Sequence, residues 1–114
     1  MPHIILDCTE NIIKLQPPQK VLKAVFEAAF ATALFGKKAI KVRMNPFQYS
    51  LTQEKTQDFI HVFAHIMEGR TTQQKQQLSK NIVSTLTELY PNIDIISVQI
   101  NDIEKATYCN KNLI

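Results

Sequence analysis

The segment PHIILDC, residues 2–8, is rich in β-branched and large apolar side chains, a composition typical of a buried β-strand. Proline has no backbone N–H and is common at strand starts, so Pro2 suits the first position of this strand. Pro2 also has a chemical interpretation. If Met1 is removed, Pro2 presents a free secondary amine at the start of the strand, whereas with Met1 attached its nitrogen is an amide without basicity.

The first half of the chain predicts the order strand, helix, strand. After PHIILDC, apolar residues recur at helical spacing from Pro17 to Leu34, and Gly36 ends this helix. Two prolines are acceptable in the first helical turn, where the missing N–H groups have no partner. The segment AIKVRMN, residues 39–45, then alternates apolar and polar side chains as a strand does, and Pro46 closes it.

The second half repeats the same order. DFIHVFAHIM, residues 58–67, predicts a long strand with apolar residues on both faces. Thr71 and Gln74 have the spacing of a capping box for the next helix, which Pro91 stops. DIISVQIND, residues 94–102, predicts the last strand.

These patterns predict one α+β domain over residues 1–114, with two βαβ halves at about 2–46 and 57–102 and an unassigned C-terminal tail. Parallel βαβ units cross over with a right hand, which places both helices on one face of a four-stranded mixed sheet. The other face is left bare. Since its strands carry apolar residues on both faces, we expect further copies of the chain to cover it.

Composition narrows the class of protein. A net charge of +3 and a pI near 8.9 fit attraction of small anions, and fall short of the dense basic surface of a nucleic-acid binder. The longest apolar stretch has 12 residues and contains Glu27, so we expect no membrane span. Cys8 and Cys109 are too few for a disulfide framework, and we interpret them as reduced thiols of a cytoplasmic protein.

Several possible sites are set aside. His61 and His65 have the i,i+4 spacing of zinc ligands on a helix, but in a strand this spacing separates the rings by roughly 13 Å. Cys8 is more typical of a core thiol than of a nucleophile. We therefore predict neither a metal nor a cofactor.

Four residues remain as candidates: Pro2 as an amine base, and Lys41, Arg43 and Arg70 as cations. Each cation alone is typical of a solvated strand or turn. Together with a potential amine base, and without a cluster of catalytic carboxylates, they suit an enzyme that handles dicarboxylates.

The segments MPHIILDCTENI, AIKVR and FIHVFAHIMEGRT resemble the 5-carboxymethyl-2-hydroxymuconate Δ-isomerase family of the tautomerase superfamily. The resemblance runs from Met1 to about Gln99. It implies the β-α-β-β-α-β tautomerase fold, a homotrimer that would cover the bare sheet face, and a small unsaturated keto or enol acid of aromatic catabolism as the substrate.

The resemblance also implies a mechanism. Pro2 would act as general base and acid, moving a proton within an unsaturated 2-hydroxy diacid, while cations bind the carboxylates. Arg70 matches one arginine of the family, and Lys41 stands at the position of the other, two residues before Arg43. Because lysine cannot grip a carboxylate with a bidentate fork, the substrate could differ from the family's namesake.

Two alternatives stay open. One is an enol–keto tautomerase of the phenylpyruvate kind, which a single cation near Pro2 would favour over the diacid isomerase. The other is a non-catalytic trimeric binding protein of the same fold, which Lys41 and a retained Met1 would favour.

Overall fold

The computed structural model describes residues 1–54 and 57–114. Four strands and three α-helices are numbered here in chain order, and single 3₁₀ turns lie at Lys37–Ala39 and Lys111–Leu113. The elements are β1 (His3–Thr9), α1 (Ile12–Leu15), α2 (Pro18–Phe30), β2 (Lys41–Phe47), β3 (Phe59–Met67), α3 (Thr72–Leu89) and β4 (Ile95–Ile103).

The four strands form one mixed sheet in the order β2-β1-β3-β4. β1 runs parallel to β2, and β3 runs parallel to β4, whereas the two central strands β1 and β3 are antiparallel. This arrangement confirms the predicted fold of two βαβ units side by side. The register places His3 opposite Lys41 on one side and opposite His65 on the other.

The hydrophobic core lies between the sheet and the two long helices. Alternate residues of the central strands are fully buried against α2 and α3, as the period of two in a strand requires. These strand residues are Ile4, Leu6, Cys8, Ile60, Val62, Ala64 and Ile66. The residues between them point to the opposite, uncovered face, where they are only partly buried.

The prediction that the first helix continues to Leu34 is wrong, because α2 ends at Phe30. The Thr32 hydroxyl donates a hydrogen bond to the carbonyl of Ala29 at 2.6 Å, and Ala33 adopts a left-handed φ of 61°. Both features turn the chain away from the helix axis. Side-chain spacing could not reveal this, since Ala33 and Leu34 still fit an apolar helical pattern.

The predicted capping box of α3 is confirmed. The Thr71 hydroxyl accepts from the Gln74 backbone N–H at 3.2 Å, and the Gln74 side chain accepts from the Thr71 N–H at 2.8 Å. The helix ends at Leu89, two residues before Pro91. No helix in the described part of the chain is long and apolar enough to cross a membrane.

The expectation that Pro46 closes the second strand is wrong, because β2 continues through it to Phe47. β2 lies at the edge of the sheet and has no neighbouring strand on its outer side. A proline is acceptable there because no strand needs a hydrogen bond from its missing N–H. The short helix α1 was not predicted, and β4 lies one residue later than expected.

Candidate active site

Pro2 lies immediately before β1, and its ring is fully buried. Its carbonyl accepts a hydrogen bond from the backbone N–H of Lys41 at 3.1 Å, which extends the β1–β2 ladder by one residue. Two contacts therefore fix Pro2: the packing of its ring in the protein interior and the hydrogen bond of its carbonyl to β2. Such a position can present an amine in a fixed orientation.

The amino terminus lies in an environment that disfavours an ammonium ion. The pKa of the Met1 amine is lowered from its ordinary value of 8.0, first by burial and then by the charges of Arg70 and Lys41. Two of the three predicted cations thus act on the terminus, although they come from different elements. Arg43 does not contribute to this effect.

Arg70 lies at the turn between β3 and α3, directly after Gly69, whose φ of +113° is rarely accessible to other residues. Its guanidinium donates to the carbonyls of Leu34 at 2.9 Å and Met67 at 3.3 Å, and lies 5.1 Å from the centre of the Phe35 ring. In the described part of the chain, no carboxylate forms an ion pair with it. The partly buried charge is therefore free to bind an external anion.

Lys41 and Arg43 lie on the uncovered face of the sheet. The Lys41 ammonium donates to the carbonyl of Ala39 at 3.2 Å. Arg43 Nη1 lies 3.1 Å from His3 Nδ1, and since a guanidinium can only donate, the histidine nitrogen accepts and carries no proton. Burial, then Arg43 and Lys41, lower the pKa of His3, which agrees with a neutral ring.

The side chains set aside earlier have structural partners. His61 Nδ1 lies 2.6 Å from the Ser97 hydroxyl, and His61 Nε2 lies 2.7 Å from the side-chain amide oxygen of Gln99. Cys8 is fully buried, and burial raises the pKa of its thiol to about 11, with smaller effects from Asp7 and Asp58, so it is not a thiolate at neutral pH. Over residues 1–54 and 57–114, no group of three His, Cys, Asp or Glu side chains could hold a metal.

Sequence analysis did not identify Leu34, Phe35 or His3 as contacts of the candidate cations. Leu34 is 36 residues from Arg70 along the chain, so its contact arises only when the end of α2 meets the start of α3. Its carbonyl has no sequence signature at all. His3 could have been found from the strand register, which places it beside Lys41.

The sequence profile of the 5-carboxymethyl-2-hydroxymuconate isomerase family matches residues 2–114. The chain belongs to this family. Its members are isomerases, and the predicted family and enzyme class are confirmed. A search of curated protein sequences gives no significant match.

Several solved structures have the same fold as this chain. A 5-carboxymethyl-2-hydroxymuconate isomerase from Deinococcus radiodurans R1 is 22% identical, with a TM-score of 0.82 over 96% of this chain and 88% of that one. Pt0534 inactivated by 2-oxo-3-pentynoate is 19% identical, with a TM-score of 0.83 over 98% and 94%. A fused 4-OT symmetric trimer is 15% identical, with a TM-score of 0.80 over 98% and 94%. At these identities the likeness shows the fold alone.

Proposed function

We propose that this isomerase moves a proton within an unsaturated 2-hydroxy diacid of the 5-carboxymethyl-2-hydroxymuconate type, with the amine of Pro2 as general base and acid. The observation that supports this most is the environment at the start of the chain, where burial and the charges of Arg70 and Lys41 lower the pKa of the Met1 amine and would act in the same direction on an amine at the adjacent, buried Pro2. The neutral form of an amine can accept a proton and then return it, and an environment that disfavours the ammonium increases the neutral fraction. Removal of Met1 is required, because it converts the amide nitrogen of Pro2 into a secondary amine.

The reaction needs only a base, an acid and an anion site. The Pro2 nitrogen removes the proton of the 2-hydroxyl, the oxygen becomes a carbonyl as the conjugated double bonds shift, and the new ammonium returns the proton to a distant carbon. No atom is gained or lost. Arg70 and Lys41 would bind the carboxylates and stabilise the negative charge that develops on the dienolate. Arg43, paired with His3, would add positive charge on the sheet face.

The presence of two cations around the terminus favours the diacid over a phenylpyruvate-type monoacid. We further propose a homotrimer, supported by the uncovered sheet face and by the trimeric state that the fused 4-OT structures carry in their names. A cytoplasmic location fits free Cys8 and Cys109 but is also a proposal.

The proposal is tested by comparing protein lacking Met1 with protein that retains it, each verified by mass spectrometry. We expect the form lacking Met1 to ketonise a 2-hydroxymuconate-type dienol, and the Met1-retained form to lose most of that rate. Pro2→Ala, also processed, should lose most of the rate but keep a remainder, because it still offers a primary amine. If intact Met1-retained protein is fully active, the proline has no role as a base. If neither form is active on any enol acid, the non-catalytic alternative is correct.

A further inference from the structure

We propose that the turn after α2, residues 31–35, is a positioning device that fixes the guanidinium of Arg70 before substrate arrives. This inference rests on the proposed function, in which Arg70 binds a substrate carboxylate. The turn contacts Arg70 in two ways, through the Leu34 carbonyl and through the Phe35 ring. We call residues 31–35 the α2 turn.

The hydroxyl of Thr32 organises the α2 turn. It donates to the carbonyl of Ala29 at 2.6 Å and accepts from the backbone N–H of Leu34 at 3.3 Å. Ala33, between Thr32 and Leu34, has a left-handed φ of 61°, a conformation that is unfavourable for a residue with a β-carbon. The backbone of Leu34 is thus fixed by a side chain two residues earlier.

The Leu34 carbonyl in turn orients Arg70. It accepts from Nη2 at 2.9 Å, while the Met67 carbonyl accepts from Nη1 at 3.3 Å on the side of β3. Phe35 is 8% exposed, so the ring below the guanidinium is itself immobilised in the core. All of these partners are neutral. They restrict the arginine without neutralising its charge.

The geometry leaves binding capacity for an anion. A guanidinium has five N–H donors, and the two carbonyls use only two of them. Because the side chain is already ordered, a carboxylate that binds to the remaining donors does not have to order a long flexible chain. Loosening the α2 turn should therefore weaken binding of the carboxylate more than it slows proton transfer at Pro2, because the guanidinium loses its fixed orientation but keeps its positive charge.

The test uses protein lacking Met1 and compares KM for a 2-hydroxymuconate-type diacid with KM for a monoacid, the enol of phenylpyruvate. Thr32→Val removes the hydroxyl at nearly constant shape, and we expect a rise in diacid KM of about three- to tenfold, since about one hydrogen bond's worth of binding is lost. We expect kcat and the monoacid KM to change much less. Thr32→Ser, which keeps the hydroxyl, is the matched control and should behave like the wild type.

A double-mutant cycle separates positioning from general structural damage. Arg70→Ala alone should raise the diacid KM by about ten- to a hundredfold, and adding Thr32→Val to it should cause no further increase. Phe35→Leu is a second, independent perturbation of the same arginine and replaces Thr32→Val if that variant does not fold. It should raise the diacid KM in the wild-type background and cause no further rise in the Arg70→Ala background.

The outcomes distinguish the two proposals. If Arg70→Ala raises the diacid KM but Thr32→Val and Phe35→Leu do not, the α2 turn has no positioning role and the proposed function stands. If the turn variants raise KM equally with and without Arg70, their effect is structural and the inference is wrong. If Arg70→Ala leaves the diacid KM unchanged, Arg70 does not bind the carboxylate, and both the inference and the proposed anion site are wrong.

Discussion

Lys41 supplies a compact positive charge at a position where the resemblance to the family places an arginine. Its charge lowers the pKa of the Met1 amine, with a smaller effect than burial and Arg70. A lysine can therefore keep the electrostatic part of the arginine's role, although it gives up the planar fork that binds a carboxylate with two parallel hydrogen bonds. We expect its contribution to be visible in the pH dependence of the reaction.

The first prediction at this scale concerns Lys41→Met in protein lacking Met1. The proposed base, the Pro2 amine, would be active when neutral, so kcat/KM should fall as the pH drops through the pKa of that amine. Removing a nearby positive charge makes the ammonium less unfavourable and raises that pKa. In a plot of kcat/KM against pH, the fall in activity on the acidic side (the acidic limb) should therefore begin at a higher pH. Lys41→Arg should leave the limb in place.

Lys38→Met is the matched control, because Lys38 is an exposed lysine of the neighbouring 3₁₀ turn and is not among the charges that shift the terminal amine. An acidic limb that is unchanged in Lys41→Met would contradict a role for this charge in lowering the pKa of the base. A shift of equal size in Lys38→Met would point to the overall charge of the protein instead.

Charged residues could be proposed from the sequence because their chemistry belongs to the side chain itself. Arg70 and Lys41 were proposed in this way, and their roles at the site stay predictions. Their partners could not be found, because a main-chain carbonyl such as that of Leu34 is common to every residue. Only the meeting of two distant segments makes it a contact of Arg70.

At the scale of secondary structure, alternation and capping signals located the elements, but their ends depended on contacts that periodicity does not record. β3 was predicted within one residue of its bounds, since it is a central strand with a strict burial pattern. The end of α2 was misplaced by four residues because the Thr32 hydroxyl and the left-handed Ala33 end the helix. That same error concealed the α2 turn and its contacts with Arg70.

The start of α3 offers a prediction for stability. Thr71 follows Arg70 directly, and its hydroxyl caps the helix through the Gln74 N–H. Thr71→Ala should destabilise the protein by about 1 kcal/mol and lower Tm by a few degrees in thermal unfolding followed by circular dichroism. Thr71→Ser preserves the cap and should retain most of the stability.

Thr72→Ala is the matched control, since Thr72 is exposed in the same first turn but lies outside the capping box. We expect its free energy of unfolding to stay within about 0.5 kcal/mol of the wild type. Equal destabilisation by Thr71→Ala and Thr72→Ala would mean that the capping box contributes little.

At the scale of the whole molecule, the two faces of the sheet differ. One face is covered by α2 and α3, and the other carries a row of side chains on β3 that are only partly buried. In this row the Phe63 ring meets the His61 ring edge-on, with 4.7 Å between the ring centres. It lies parallel to the His65 ring, with 6.3 Å between the ring centres. Ile5 of β1 lies opposite Phe63 in the register. An ordered apolar and aromatic surface of this kind is typical of a face that packs against other copies.

We therefore predict a homotrimer at micromolar concentration, measured by light scattering coupled to size-exclusion chromatography. Phe63→Glu would place a charge in the middle of the uncovered face, where burying it in an interface is strongly unfavourable, so the variant should elute as a smaller species. Leu51→Glu is the matched control, because Leu51 is 92% exposed in the connection between β2 and β3 and should leave the assembly unchanged. A wild-type protein that is a stable monomer would contradict the prediction. A Phe63→Glu variant that remains trimeric would show instead that a different surface holds the copies together.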